Sequence, residues 1–232
     1  ITNMKNAGII LAGGIGSRFE STLSSKKQFI EFDGEPLFFK SLRCFDESRK
    51  FEKIIISLHK DDFQHYKNKI INLSLSSNID FVMGGSSRQK SVMNAFDRIK
   101  NFFDIVVIQD GVRPFIQKTW INKLIKLMDL FDGAIIAIPS SDTIKISKDK
   151  KKITKTLDRD EIWFAQTPQS FKVSILKKAF DYSLNNNFEA TDESGLVEKI
   201  GGKVGLVLGD KYNIKLTNKE DLLIAKSILK NL

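Results

Sequence analysis

The chain has a single cysteine, Cys44, and only 4 prolines in 232 residues. One thiol excludes an intramolecular disulfide framework and leaves a cysteine-rich zinc site without its ligands. No apolar run approaches the roughly 20 residues of a membrane-spanning helix, and nothing resembles a secretory signal. Internal repeats and low-complexity linkers are missing as well. The two histidines, His59 and His65, lack metal-ligand spacing and an acidic partner at helical distance, so both read as surface residues. These absences describe a soluble cytoplasmic protein with no membrane partner. What is present is enough for a core: 41% hydrophobic residues, with 18 phenylalanines, exclude wholesale disorder.

Lysine and arginine outnumber aspartate and glutamate by 37 to 28, a formal net charge of +9. Such an excess suits a plain basic surface, a nucleic-acid partner or an anionic small substrate. No basic stretch interleaves aromatics in an RNA-recognition pattern, so no nucleic-acid partner is expected. The clearest charge run, Lys148–Lys152, reads as a solvated turn.

Apolar, β-rich runs recur along the chain at Ala7–Leu11, Lys53–Leu58, Ile79–Met83, Ile105–Ile108, Ala134–Ile138 and Val204–Leu208. They are continuous rather than alternating, as in strands buried on both faces of a mainly parallel sheet. Between them, Val92, Ala95, Phe96 and Ile99 form one apolar helical stripe. Asp61–Ile71, Thr119–Asp129 and Lys172–Leu184 are further predicted helices. Thr217 and Glu220 have the spacing of a capping box for a last helix. Trp120 and Trp163 are expected in the core. The alternation predicts an α/β fold: a single doubly wound, Rossmann-like domain over 1–232, its twisted sheet flanked by helices. Asp142–Ser147 and Lys152–Leu157 break the pattern and predict a β-hairpin arm, about 140–158, that projects toward another subunit.

After the first strand comes the glycine-rich turn Leu11-Ala12-Gly13-Gly14-Ile15-Gly16-Ser17-Arg18. Successive backbone N–H groups in such a turn can cradle an anion. The dinucleotide fingerprint fails, because Phe19 stands where its last glycine belongs. A Walker A loop fails too: the Gly202-Lys203 pair is followed by Val204. A glycine turn with Arg18 and Lys27 close behind suits a triphosphate. Read alone, it equally suits a tight turn with two solvated cations. Asp110 follows a predicted strand and so sits at the carboxyl edge of the sheet, either as a Mg²⁺ ligand or as a turn or capping aspartate. Gly84-Gly85-Ser86-Ser87-Arg88 fits a base- or ribose-binding loop, or a plain loop with Ser86 as helix cap.

Together these segments resemble the cytidylyltransferases that activate small polyol phosphates with CTP, the family of 2-C-methyl-D-erythritol 4-phosphate and ribitol-5-phosphate cytidylyltransferases. The matching blocks run in order: LAGGIGSRF (11–19), KKQF (26–29), GGSSRQKSV (84–92), QDGVRPF (109–115), SDTIK (141–145), TLDRDEIWFAQTPQSF (156–171), ATDES (190–194) and NIKLT (213–217).

The resemblance implies that Leu11, Ala12, Gly13 and Gly14 wrap the CTP phosphates, and that Arg18 and Lys27 stabilise charge on the attacked phosphate. It implies Gly85, Ser86 and Ser91 on cytosine and ribose, Arg88 supporting that loop, and Asp110 on Mg²⁺ or another divalent cation. Arg159 and Lys215 would grip the phosphate of the polyol substrate, with Thr143 and Thr191 beside it. In this family the arm crosses to a partner subunit, so a homodimer is expected, with Thr143 and Arg159 serving the neighbour's site. Lys26 stands where the family has proline, so Lys26 shares the candidacy of Lys27. Tyr212 before Asn213 leaves a second metal carboxylate unassigned, with Asp210 nearby. The TLDRDEIWFAQTPQ and ATDES blocks favour methylerythritol phosphate as acceptor. LAGGIGSRF, VRPF and Tyr212–Lys215 suit the alternative, ribitol phosphate. A non-catalytic nucleotide- or RNA-binding module is the alternative of another class.

Overall fold

The structure, a computed structural model, describes residues 4–13, 31–32 and 34–230. The first half of the described chain runs β1 (Asn6–Ala12), β2 (Glu31–Phe32), β3 (Glu35–Pro36), α1 (Leu37–Glu47), β4 (Lys53–Leu58), α2 (Phe63–Ile71), β5 (Asn78–Met83), α3 (Arg88–Phe96) and β6 (Ile105–Asp110). It continues with α4 (Lys118–Leu127), β7 (Gly133–Pro139), β8 (Lys145–Ile146), β9 (Lys155–Thr156) and a 3₁₀ turn (Arg159–Glu161). The last elements are β10 (Trp163–Lys172), α5 (Val173–Asn186), α6 (Glu193–Lys199), β11 (Val204–Leu208) and α7 (Lys219–Lys230).

Seven strands form one sheet in the order β11-β7-β10-β6-β1-β4-β5. All neighbours pair in parallel except β10, which is antiparallel to both β6 and β7. The predicted mainly parallel α/β sheet is therefore what forms. Its central strands are mostly buried, β6 at every residue. Successive side chains face opposite layers. Ile105 and Val107 join the core under α1, α2 and α4, whereas Val106 and Ile108 join the core under α3, α5 and α6. Two apolar layers on one sheet explain why the strands read as continuous hydrophobic runs.

Besides the short β2, β3 and the 3₁₀ turn, three longer elements escaped the sequence reading: α1, β10 and α6. The most consequential is β10, whose sequence carries Pro168, a residue that argues against a central strand. The strand tolerates it because the β10–β7 register shifts between Ala165 and Gln169. Within that bulge Gln166, Thr167 and Pro168 leave the regular ladder. The backbone N–H of Asp110 then donates to the Thr167 hydroxyl at 3.1 Å rather than to a strand carbonyl. The irregularity thus ties the end of β6 to β10.

The predicted hairpin is present but shorter than expected, with pairing confined to Lys145–Thr156 and Ile146–Lys155. At its tip the Asp149 carboxylate accepts the N–H groups of Lys151 and Lys152, and the lysine run is an exposed turn as anticipated. Four local expectations need correction. Trp163 is half-exposed at the base of the arm, while Trp120 is in the core. His59 is largely covered and lies 3.2 Å from Asp61 and 4.0 Å from Asp62. The cap of α3 is Ser87, not Ser86: its hydroxyl accepts from the N–H of Lys90.

The capping box of α7 sits one residue later than Thr217–Glu220. Asn218 Oδ1 accepts from the N–H of Asp221, and Asp221 Oδ2 accepts in return from the N–H groups of Asn218 and Thr217 and from the Thr217 hydroxyl. The shorter aspartate reaches back because Thr217 folds over it as well. Asp221→Ala is expected to lower stability by about 1–2 kcal/mol in urea unfolding, whereas Glu220→Ala changes it by only a few tenths. Equal effects would restore the original assignment.

Candidate active site

Parallel strands that end together leave a crevice at their carboxyl edge, and ligands bind there because several loops converge on it. β1 and β6 are adjacent, with Leu11 opposite Asp110. The N–H of Gly111 donates to the carbonyl of Leu11, closing this edge. Gly13 faces Gly84 across the end of β4: a Cβ built on Gly13 would lie 3.3 Å from the Gly84 Cα. The two turns beyond β1 and β5 approach this closely because neither residue has a side chain. The loop after β5 is held by Ser91, whose hydroxyl donates to the Ser87 carbonyl and accepts the N–H of Gly85. Side-chain space is lacking at Gly85 too, where a Cβ would collide with Lys90. Ser86 is exposed at the rim.

Asp110, the last residue of β6, is 5% exposed. Its Oδ1 accepts from Arg88 Nε at 3.0 Å, and its Oδ2 pairs with Lys215 Nζ at 2.7 Å. Arg88 in turn directs Nη1 at both carboxylate oxygens of the buried Glu193, each at 2.9 Å. Burial alone would push the Asp110 carboxyl up. Arg88 and Lys215 outweigh it and hold the group well below the usual carboxylate range. The same contest raises Arg88, where Asp110 and Glu193 overcome the burial that disfavours its charge. For Glu193 burial wins, and its carboxyl is raised.

Arg88, Asp110 and Lys215 line a cavity of about 170 Å³, with Glu193 buried behind Arg88. The β10 bulge supplies Gln166, Thr167 and Gln169, the segment before α6 supplies Thr191 and Asp192, and the DGVR turn supplies Arg113. Arg113 Nη1 donates to the carbonyl of Asn213 at 2.6 Å, and the Asn213 side chain donates to Gln166 and to the Thr167 carbonyl. This fixes the loop that presents Lys215. Burial lowers Arg113, with Asp110 opposing.

Of the residues singled out from the sequence, Arg88, Asp110, Thr191 and Lys215 meet in this cavity, and Leu11, Ala12, Gly13, Gly85, Ser86 and Ser91 form the adjoining edge. Gly14, Arg18, Lys26 and Lys27 lie outside the described residues. Thr143 and Arg159 are exposed on the arm and do not line the cavity. Asp210 and Tyr212 line a separate cavity of about 320 Å³ rather than this one. Arg88 does more than support its loop, since it is clamped between two carboxylates. Glu193, Arg113, Thr167, Gln169 and Asn213 were not anticipated, although each falls inside a matching block. Among the described residues no cluster of three or more histidine, cysteine or acidic side chains could hold a metal unaided. Asp110 fits a hard divalent ion nonetheless, because one carboxylate plus substrate phosphates and water suffices for Mg²⁺, and a cation already occupies its Oδ2.

Comparison with known proteins bears on this geometry. The family model described as IspD, 2-C-methyl-D-erythritol 4-phosphate cytidylyltransferase, matches residues 7–231. The protein of that name from Fusobacterium nucleatum is 41% identical over 220 residues, which is 94% of each chain. Its counterpart in Clostridioides difficile is 37% identical over 95% of this chain and 92% of its own. The crystal structure of 4-diphosphocytidyl-2C-methyl-D-erythritol synthase from Anaerococcus prevotii superposes with a TM-score of 0.86 at 28% identity, covering 98% of this chain and 99% of that one.

Because the Asp110 carboxyl is depressed in the folded chain, it stabilises the fold fully above its unfolded value near 4 and loses that contribution as the pH falls through the depressed one. Asp110→Asn should therefore cost about 2–3 kcal/mol at pH 7, below the full penalty for a broken buried pair because Lys215, 37% exposed, can return to water. The deficit relative to the wild-type chain should shrink steadily between pH 5 and about pH 2.5 in urea unfolding. A deficit independent of pH would contradict the ionised cluster.

Proposed function

The chain belongs to the 2-C-methyl-D-erythritol 4-phosphate cytidylyltransferase family, and from that premise we infer that it transfers CMP from CTP to 2-C-methyl-D-erythritol 4-phosphate, releasing pyrophosphate. It is a nucleotidyltransferase of isoprenoid precursor synthesis. Its relatives share the name over nearly the whole chain, which supports this acceptor over ribitol phosphate. The observation that carries the reading is the meeting of Arg88 and Lys215 on Asp110, in one cavity with Thr191 at the carboxyl edge of the sheet.

An oxygen of the acceptor phosphate attacks the α-phosphorus of CTP, and the bond to the β-phosphate oxygen breaks. The nucleophile is already an anion, so no general base is needed, and no histidine lines the cavity among the described residues. The work is electrostatic: two mutually repellent phosphates must be held in line. The glycine edge, Leu11 to Gly14, receives the triphosphate, and Gly85, Ser86 and Ser91 receive the nucleoside. Asp110 would hold Mg²⁺, which when bound neutralises phosphate charge. Lys215 then exchanges a carboxylate partner for the acceptor phosphate, with Thr191 alongside. In the cavity Arg88, Arg113 and Lys215 face Asp110 and Asp192, and the buried Glu193 behind Arg88 offsets the remaining cation, so further positive charge comes from Arg18, Lys27 and Arg159.

Arg159 and Thr143 act on this reading from a second copy of the chain. Exposed apolar side chains support a homodimer through the arm: Ile146 and Ile153 on the hairpin, Trp163 and Phe164 at its base, Leu206 and Leu208 on the edge strand β11. No helix among the described residues is long and apolar enough to cross a membrane, and the enzyme is assigned to the cytoplasm, where its anionic substrates are found.

Pyrophosphate release should require CTP, 2-C-methyl-D-erythritol 4-phosphate and Mg²⁺ together, with ribitol 5-phosphate far slower; its absence with the methylerythritol acceptor would refute the activity. Replacing Arg18 or Lys27 by Ala should cost a factor of about 10²–10³ in kcat. Arg159→Ala and Lys215→Ala chains, each inactive alone, should regain about a quarter of the wild-type rate after mixing and subunit exchange, because half the dimers then carry one complete site. No recovery, with exchange verified, would place Arg159 in its own chain's site.

A further inference from the structure

Glu193 lies outside every role assigned above. It is 1% exposed, at the first position of α6, and spends both carboxylate oxygens on a single nitrogen of Arg88. A carboxylate in the first turn of a helix is favourable by itself, but that needs neither burial nor a guanidinium. Nor is the pair the only link between α3 and this region: Gln89, the neighbour of Arg88, accepts the N–H of Ala190 in the segment before α6 and donates to Ser183 on α5.

What the pair does control is how Arg88 approaches Asp110. Arg88 reaches Asp110 through Nε alone, and its Nη2 has no hydrogen-bond partner among the described residues. A guanidinium beside a carboxylate ordinarily prefers the two-pronged arrangement, with Nε and Nη2 on separate oxygens. Here Nη1 is anchored in Glu193, and Oδ2 of Asp110 is left to Lys215, a cation at the end of a flexible, 37% exposed side chain.

We propose that Glu193 is a positioning residue for the cation site: by tethering Arg88 it confines the guanidinium to Oδ1 of Asp110 and keeps Oδ2 available. Lys215 holds Oδ2 until it yields it to the divalent ion. This rests on the reading of Asp110 as the carboxylate that binds the cation. Without the tether, Arg88 closes its fork on both oxygens of Asp110, and the ion must displace a fixed, two-pronged partner instead of a mobile ammonium.

The test is calorimetric titration of CTP into the protein over a series of Mg²⁺ concentrations, without acceptor, so that binding rather than turnover is read. In the wild-type protein CTP affinity rises with Mg²⁺. Glu193→Gln should move the half-saturating Mg²⁺ upward by about tenfold, the usual scale for loss of an outer partner of a metal ligand, while CTP affinity at saturating Mg²⁺ returns close to wild type. Arg88→Lys supplies the control, because an ammonium cannot form the fork: adding Glu193→Gln to it should produce no further shift. A wild-type Mg²⁺ dependence in Glu193→Gln, or the same tenfold shift in the Arg88→Lys background, overturns the proposal. A wild-type protein whose CTP affinity ignores Mg²⁺ overturns the reading of Asp110 instead, and the proposal with it. If Glu193→Gln shows no cooperative thermal transition, Glu193→Asp takes its place, since it keeps the charge but withdraws the carboxylate by one methylene. It should shift the Mg²⁺ dependence in the same direction, and an unchanged dependence again overturns the tether.

Discussion

A carboxylate at the end of a buried strand is an expensive group to keep ionised, and the site depends on Asp110 remaining so. Water cannot solvate it at 5% exposure; Arg88 and Lys215 do so in its place. Each cation is in turn constrained by something remote in sequence: Arg88 by Glu193 on α6, Lys215 by a loop pinned through Asn213 to Arg113 and the β10 bulge. Removing any of these leaves a buried charge or donor without its partner, which costs more than the pair contributes when intact. The cluster is therefore both a structural joint and a charge store that substrate anions can draw on.

The fold delivers this joint through one departure from regularity. An all-parallel sheet would run regular ladders past the end of β6. The antiparallel β10 crosses there instead, bulged at Gln166–Pro168, and offers a hydroxyl to the Asp110 N–H while lining the cavity with Gln166, Thr167 and Gln169. A bulge beside an active site redirects side chains that a regular strand would bury in a layer.

The sheet was legible in the sequence because its parallel strands are buried on both faces, so Lys53–Leu58 and Ile105–Ile108 announce themselves as unbroken apolar runs. β10 was not, because Gln166, Thr167, Pro168 and Gln169 give it neither alternation nor continuity. Helix α6 was hidden for a related reason: Glu193 looks like a solvated first-turn acid, and only the position of Arg88 shows why it is buried. Asp110 was legible by resemblance and by its place after a strand, and Lys215 by resemblance alone, but their contact joins residues far apart in the chain and follows no local rule. The capping box shows the limit on a smaller scale, since Thr217–Glu220 and Asn218–Asp221 both have the right spacing and only geometry chooses between them.

Substrate binding requires Asp110 to exchange one cation for another while its anchor stays put, and a crystal structure of the protein with Mg²⁺ and CTP examines that most directly. Oδ2 of Asp110 should coordinate the metal, Arg88 should remain on Oδ1 and Glu193, and the Lys215 ammonium should have left Asp110 for the space where the acceptor phosphate binds. A nucleotide bound elsewhere, or Lys215 still paired to Asp110 with the metal bound by other residues, would contradict it.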